Sequence, residues 1–324
     1  MSAGAGNWRL GLLYAGITTL AWGLLPIALK AMLAHMDPYT LTWYRFLAAA
    51  LISGLVLTAT GRLPRLGRLD VAGRVLMVVA IFGLIGNYVL YLLGLDYASP
   101  GTTQVLMQLA PLFLLLGGVL FLGESFAPRQ WLGFAALVSG LPLFFHARLG
   151  ELVVLDGDIA RGTGLILLSA LVWTAYALAQ KLLLRYLTAQ GVLLVIYAAA
   201  SVTLLPASIP AAIGDLTAWP VALLVFCCLN TVIAYGAFGE AMSHWDASRV
   251  SAVIALSPLL TLLFGWLLGH LSAGYENTDQ LDALSLAGAL VVVCGSALCA
   301  LGGARRDRRT VPAGTLAESK ESQP

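Results

Sequence analysis

One arginine of the sequence lies where a charged side chain is energetically unfavourable. Arg45 lies well inside a continuously apolar stretch that runs from residue 39 to 59. A charge at the centre of an apolar membrane helix costs about 2.5–3.5 kcal/mol, so it needs a cavity or a partner. Its guanidinium suits a substrate carboxylate or phosphate, which it can bind through two parallel hydrogen bonds. The alternatives are outward snorkelling, or a structural ion pair with Asp37 or Asp96.

Aromatic residues recur inside the same kind of stretch. We expect Trp22, Trp173, Tyr88 and Tyr176, together with Tyr235, to line a central cavity. Their rings offer flat apolar walls with polar edges, which suits an aromatic or amphipathic solute. Ordinary helix packing is the competing explanation for each single ring.

Uncharged amides form a third group of candidate substrate-binding residues. They can orient a zwitterion without adding a fixed charge, although hydrogen bonding between helices, worth about 0.6 kcal/mol on average, competes as their role. The members of this group are Asn87, Gln104, Gln108, Gln180 and Asn230.

Two lysines and two prolines are candidate gating or hinge residues. Lys30 and Lys181 stand at the ends of apolar stretches, where they either gate a vestibule or snorkel to the interface. Pro111 and Pro258 interrupt helical stretches, which frees backbone carbonyls for a cavity or allows a bend.

The motifs of enzymes and cofactor sites are missing from the sequence. There is no His-Glu-x-x-His, no Gly-x-Ser-x-Gly and no Gly-x-x-x-x-Gly-Lys, and the four cysteines have no metal-ligand spacing. We therefore expect no catalytic residue, no metal and no cofactor. The net charge of only +2 gives no reason to expect a nucleic-acid partner.

Composition identifies the elements that must position these residues. The chain is 60% hydrophobic and 10% charged, against roughly 45–50% and 25% in an average soluble domain. Apolar windows of membrane-spanning length contain many Leu and Ala, which predicts transmembrane helices and an all-α integral membrane protein. The windows are 10–29, 39–59, 75–95, 102–122, 129–146, 162–182, 190–213, 220–240, 249–271 and 281–302.

The basic residues predict how these ten helices are oriented. Lys and Arg concentrate in alternate connections, whereas the other connections receive only Lys30, Arg148 and Arg161. Because basic residues are retained on the cytoplasmic side, both termini are predicted to be cytoplasmic and the protein to be multi-pass in a bacterial inner membrane.

An internal repeat divides the chain into two halves. Tyr88 and Tyr235 are 147 positions apart, and so are Pro111 and Pro258. Five spans separate equivalent positions, and because five is odd the second half must be inverted in the membrane. Inverted repeats are typical of secondary transporters that alternate between two openings.

The predicted boundaries follow from these windows. They are a cytoplasmic N-terminus at 1–9, a first five-helix repeat at 10–146, an extracytoplasmic connection at 147–161, an inverted second repeat at 162–302 and a disordered cytoplasmic tail at 303–324.

The sequence also resembles the drug/metabolite transporter superfamily, EamA type. The resemblance rests on Trp22-Gly23, on Arg45 after Tyr44, and on the stretch from Tyr97 to Glu124, with an echo from Ala247 to Leu268. In the second half Gly269-His270 stands where the family pattern has Gly-Glu. The resemblance implies export of amino acids or related small metabolites by alternating access.

Other functions remain as alternatives at this point. The same superfamily includes transporters of phosphorylated or nucleotide-linked sugars, and a non-transporting membrane scaffold is a further class. The expected partners are a small-molecule substrate and the lipid bilayer. Small residues at spacing four, such as Ala136 with Gly140 and Gly295 with Cys299, predict close helix packing within the chain or in a homodimer.

Overall fold

A computed structural model describes residues 7–122, 127–148, 157–245, 247–271 and 282–302 of the protein. These residues form helices and short connections, with no strand among them. The predictions for residues 1–6, for 149–156 of the connection and for the tail at 303–324 lie outside the described residues.

Six α-helices are described in the first half. Side chains cap their starts, as where the Asp37 carboxylate accepts hydrogen bonds from the backbone N–H groups of Tyr39 and Thr40. The helices are α1 Trp8–Leu33, α2 Pro38–Ala59, α3 Val71–Tyr97, α4 Pro100–Met107, α5 Leu109–Leu122 and α6 Pro128–Phe144.

Six further α-helices are described in the second half. They are α7 Gly157–Leu183, α8 Ala189–Leu204, α9 Ala218–His244, α10 Ala247–Ile254, α11 Ser257–Leu271 and α12 Ala283–Gly302. In each half the fourth predicted span is therefore two helices in series, α4 with α5 and α10 with α11.

The interruptions lie just before the two repeat-related prolines. Proline has no backbone N–H, so a helix that contains Pro111 or Pro258 loses the hydrogen bond to the carbonyl four residues earlier. The breaks fall at Gln108 and at Ala255–Leu256, one turn ahead of the respective proline. The interruption expected at both prolines is present, and a hinge role stays a prediction.

Seven helical segments of the described residues are long and apolar enough to cross a membrane. The sequence predicted ten spans, and the difference lies in α6, α12 and the interrupted pair α4 and α5, which are shorter. Large apolar side chains such as Leu55 and Val202 are exposed on the outer surface, as expected for contact with lipid.

The contacts between helices form equivalent pairs when the two halves are exchanged. The pairs α1–α9 and α3–α7 correspond to each other when the halves are exchanged, and so do α1–α11 and α5–α7. The pairs α2–α8 and α6–α12 each join two equivalent helices. The contacts therefore have an approximate twofold relationship between the halves.

Equivalent helices run in opposite directions where they meet. On α2, Trp43 donates from Nε1 to the Ser201 carbonyl of α8 at 2.8 Å, while Gly54 approaches Leu194. Residue numbers therefore rise along α2 as they fall along α8.

Glycines bring α6 and α12 together. A Cβ atom added at Gly133 would lie 2.7 Å from the Gly295 carbonyl oxygen, and one at Gly140 would lie 3.0 Å from that of Gly288. Such close contacts are possible because both helices have glycine, which lacks a side chain, at these positions. The small-residue face that contains Gly140, Gly295 and Cys299 is thus occupied within the chain.

Candidate functional site

Arg45 lies at the boundary between the two halves. Its helix begins at the Asp37 cap, and two turns later the side chain is 4% exposed. Nε donates a hydrogen bond of 3.2 Å to Oγ1 of Thr231 on α9, and the guanidinium lies over the Tyr88 ring at 4.5 Å from its centroid. Residues of both halves therefore hold this arginine.

The charge of Arg45 has no carboxylate partner within the described residues. The Asp37 side chain caps α2, and the backbone carbonyl of Asp96 accepts from Nζ of Lys30. Neither aspartate forms an ion pair with Arg45, so the structural pairing considered from the sequence is not observed. Thr231 is the hydrogen-bond acceptor seen for the guanidinium among these residues.

Three buried polar atoms without a partner among the described residues belong to residues near Arg45 or near Thr231. Thr42 Oγ1 lies one turn earlier on α2, and Asn230 Oδ1 belongs to the neighbour of Thr231. The hydroxyl of Tyr197, a residue that is 2% exposed, is also unpaired and lies within electrostatic range of Arg45. An unpaired buried polar group costs about 1–3 kcal/mol, so this concentration is typical of a site that binds water or a polar ligand.

Aromatic contacts connect Arg45 with Trp22. Trp22 meets Tyr235 edge-on at 5.6 Å between ring centroids, and the Tyr235 and Tyr88 side chains lie within electrostatic range of each other. Tyr88 in turn lies beneath the guanidinium and stacks on Phe46 at 4.6 Å. The two halves therefore share one aromatic cluster beside the charge.

Trp173 joins the same cluster from the second half. It is half-buried, packs against the core that contains Tyr88, and meets Tyr176 edge-on at 6.4 Å. Tyr176 is buried, and Gln180, one turn later on α7, is half-buried. The five aromatic residues singled out from the sequence thus lie in one region of the structure.

Two of the predicted amides are engaged in joining helices. Asn87 on α3 donates to Ser169 Oγ on α7 at 2.9 Å, and that hydroxyl donates back to the Asn87 carbonyl. Gln108 donates to the Ala255 carbonyl at 2.7 Å and accepts from Ser296 at 3.0 Å. Helix–helix hydrogen bonding accounts for both side chains, so their substrate role stays a prediction.

The other amides lie on the Trp22 side of the site. Gln104 donates to the Trp22 carbonyl at 2.7 Å, and Asn230 donates to the Ala21 carbonyl at 2.8 Å. Each amide thereby attaches to α1 next to the tryptophan. Asn230 keeps its oxygen unpaired, which leaves an acceptor available to a ligand.

The predicted gating lysines lie away from this cluster. Lys30 donates from Nζ to the carbonyls of Leu95 and Asp96, at 2.8 and 2.6 Å, and so caps the end of α3. Lys181 is exposed near the end of α7. Pro258 is buried inside α11, and the side chain of Pro111 lies outside the described residues.

Two residues of the site were missed by the sequence analysis. Tyr91 is within electrostatic range of Arg45 and lies three residues after Tyr88, a spacing that places both on one helix face. That spacing was a usable signal. For Tyr197 no comparable pattern marks the residue, because its position depends on how α8 packs on α2.

Metal chemistry has no visible basis in this region. In the ranges that the structure covers, no group of three or more His, Cys, Asp or Glu side chains is arranged to hold a metal ion.

Comparison with known families decides the class of protein. The model of the EamA-like transporter family matches residues 9–145 and, a second time, residues 160–301. The chain belongs to the EamA-like transporter family. This EamA-like protein is therefore a multi-pass membrane transporter, and the resemblance to the drug/metabolite transporter superfamily is confirmed.

Several relatives of this EamA-like chain have names of their own. One in Escherichia coli (strain K12), "Uncharacterized inner membrane transporter YhbE", is 39% identical over 90% of this chain and 92% of that protein. An "Uncharacterized transporter" of Haemophilus influenzae is 37% identical over 90% and 95%. A more distant "Probable amino-acid metabolite efflux pump" of Salmonella typhimurium is 22% identical over 86% and 91%.

A solved crystal structure shares the fold of the EamA-like chain. It aligns with a TM-score of 0.62 at 21% identity, over 92% of this chain and the whole of that chain. The likeness concerns the arrangement of helices.

Proposed function

We propose that this EamA-like transporter exports amino acids or related small metabolites from the bacterial cytoplasm, and that Arg45 binds the substrate carboxylate. The observation that carries this proposal is a buried guanidinium for which the described residues provide no carboxylate partner, together with unpaired polar atoms on nearby residues. An uncompensated buried charge costs several kcal/mol, whereas a bound carboxylate compensates it with two charge-assisted hydrogen bonds.

The rest of the site suits the other parts of an amino acid. The unpaired oxygens of Asn230 and Thr42 can accept hydrogen bonds from an ammonium group. The rings of Trp22, Tyr235 and Tyr88 provide apolar contact for a side chain. A single guanidinium fits one carboxylate better than a diphosphate, which favours amino acids over nucleotide-linked sugars.

The helix arrangement supports alternating access. The chain is proposed to cross the membrane ten times, with both termini cytoplasmic and with two inverted repeats. The antiparallel contact of the equivalent helices α2 and α8 supports this inversion, since helices related by an in-plane axis must run in opposite directions. Arg45 bonds across the halves to Thr231, so relative motion of the halves changes its surroundings.

The printed name of the Salmonella relative, a probable amino-acid metabolite efflux pump, supports the substrate class. The names of the closer Escherichia coli relatives support an inner-membrane location. Neither name specifies which solute this chain carries.

An untargeted comparison of growth media tests the proposal. Bacteria express the intact chain, Arg45→Ala, or Arg129→Ala, which removes an exposed arginine at the start of α6 and controls for loss of charge. With equal membrane levels, we expect carboxylate-bearing metabolites to accumulate outside cells with the intact chain and with Arg129→Ala, but not with Arg45→Ala. Accumulation of phosphorylated sugars instead, or equal export by Arg45→Ala, would contradict the assignment.

A further inference from the structure

An apolar groove lies on the outer surface, away from the arginine site. Its volume is about 680 Å³, within the roughly 300–1,000 Å³ typical of sites for small organic ligands. The walls come from the connection after α2 and from one face of α8. The lining residues are Leu63, Pro64, Leu66, Leu194, Val195, Ala198, Ala199, Val202 and Thr203.

One end of the groove carries a cluster of positive charge. Arg62 and Arg65 are exposed and alternate in sequence with the lining residues Leu63, Pro64 and Leu66. Arg68 follows directly and is also exposed.

Among the described residues, no carboxylate forms an ion pair with these arginines. The Asp70 carboxylate accepts from the backbone N–H of Gly73 and from the hydroxyl of Tyr186. This carboxylate therefore serves to cap α3, and the arginines present a net positive surface.

The groove runs from the arginines along α8 to the depth of one lipid leaflet. Pro64 packs on Gly191 in the first turn of α8, so the basic connection lies at that end of the helix. The lining residues continue from Leu194 to Thr203, and at about 1.5 Å per residue this stretch is roughly 14 Å long. Half of a hydrocarbon core of about 30 Å has nearly the same depth.

We propose that this groove binds an anionic phospholipid, with its phosphate at Arg62 and Arg65 and an acyl chain along α8. Two exposed arginines on one short connection suit a phosphate, and an apolar groove one leaflet deep suits the chain attached to it. The lipid belongs to the cytoplasmic leaflet, where the basic connection is predicted to lie. The proposal does not depend on the transported substrate.

Native mass spectrometry of the full chain in detergent measures this binding directly. The probes are phosphatidylglycerol and phosphatidylcholine with identical acyl chains, titrated separately. We expect phosphatidylglycerol to be retained preferentially. The double variant Arg62→Gln/Arg65→Gln is expected to bind it about thirtyfold more weakly, since each basic side chain near an anionic surface contributes about fivefold.

Two further variants separate the groove from general surface charge. Ala198→Trp fills the groove at an exposed position and is expected to weaken phosphatidylglycerol binding while all arginines remain. Arg129→Gln/Arg161→Gln removes two exposed arginines elsewhere and is expected to bind like the intact chain. Each variant must elute from size exclusion as the intact chain does, and Val202→Trp replaces Ala198→Trp if the latter does not.

Three results would overturn the lipid assignment. The first is equal retention of the two lipids. The second is unchanged phosphatidylglycerol binding by both Ala198→Trp and Arg62→Gln/Arg65→Gln. The third is a dimer of the chain that disappears with Ala198→Trp. The last result would make a second copy the occupant of the groove. Export measured in the same variants remains an independent readout, so failure here leaves the arginine site untouched.

Discussion

The side-chain amide of Gln108 donates a 2.7 Å hydrogen bond to the backbone carbonyl of Ala255. These two residues are 147 positions apart, the separation that relates the two prolines, so the helix interruptions of the two halves meet directly. Ser296 on α12 donates to the same amide at 3.0 Å. One buried glutamine therefore connects both interrupted spans with the last helix.

Replacing Gln108 tests this connection. Gln108→Leu is expected to destabilise the protein by about 1–3 kcal/mol, because the Ala255 carbonyl and the Ser296 hydroxyl lose their buried partner. The midpoint of thermal unfolding in detergent measures the change. Gln104→Leu is the control, since Gln104 is half-buried and has one bond, to Trp22, and a smaller shift is expected. Equal shifts in the unfolding midpoint would show that the hydrogen bonds of Gln108 contribute no more to stability than that of Gln104.

The close glycine contact between α6 and α12 predicts that a larger residue at Gly288 destabilises the protein. Gly288→Ala would bring a Cβ atom to within 2.3 Å of the Phe144 backbone nitrogen, so the helices must separate. We expect a loss of about 1–3 kcal/mol in stability. In Gly236→Ala no atom lies within 4 Å of the added Cβ, and helix propensity alone should stabilise α9 slightly. A neutral Gly288→Ala in the same unfolding assay would mean that this packing is looser than the structure indicates.

Replacing Tyr197 distinguishes a substrate-binding role of its unpaired hydroxyl from a structural role. Tyr197→Phe removes a buried group without a partner, so stability should be unchanged or higher, while substrate affinity falls several-fold if the hydroxyl contacts the substrate. Tyr44→Phe is the matched control, because its hydroxyl donates to the Pro210 carbonyl at 2.6 Å and its loss should cost about 0.5–1.5 kcal/mol. The contact is ruled out if Tyr197→Phe transports with unchanged affinity.

A contact between His146, which follows the end of α6, and Asp282, which precedes α12, predicts a pH dependence. The pKa of Asp282 lies below its ordinary value, chiefly because the backbone N–H of Ser285 donates to the carboxylate, with a further contribution from His146 at 3.0 Å. A lowered pKa in the folded state means that Asp282 stabilises the protein above the ordinary carboxyl pKa of about 3.9, and that this is lost as pH falls below it.

The variant Asp282→Asn measures this contribution. Its unfolding midpoint should be lower than that of the intact chain near pH 6, and the difference should shrink towards pH 3, roughly across the titration of the carboxyl group. The exposed Asp158→Asn serves as the control. A difference that is constant over this range would show that the Asp282 charge does not contribute.

Sequence patterns predicted most of the fold because they are local or repeated. The spacing of Tyr88 and Tyr235 and of the two prolines indicated two halves, and apolar length indicated the helices. The count of spans was less accessible, because Pro111 divides one predicted span into α4 and α5, and because α6 and the apolar part of α12 are also short.

The sequence predicted a residue of the candidate site only where its type was unusual for the surrounding sequence. A charge inside an apolar stretch identified Arg45, and its burial agrees with that expectation. The amides could not be sorted by the sequence, since Gln108 and Gln104 differ only in what lies opposite them. Tyr197 could not be found either, because its neighbours come from other helices and from the other half.

The most direct measurement compares a transported amino acid with its carboxamide in proteoliposomes, for the intact chain and for Arg45→Gln. If Arg45 binds the carboxylate, the intact chain should prefer the amino acid by about tenfold or more in apparent affinity, and Arg45→Gln should lose this preference. Arg129→Gln should keep it. If Arg45→Gln transports the substrate and discriminates between the two compounds as the intact chain does, Arg45 does not bind the carboxylate and the proposed site is wrong.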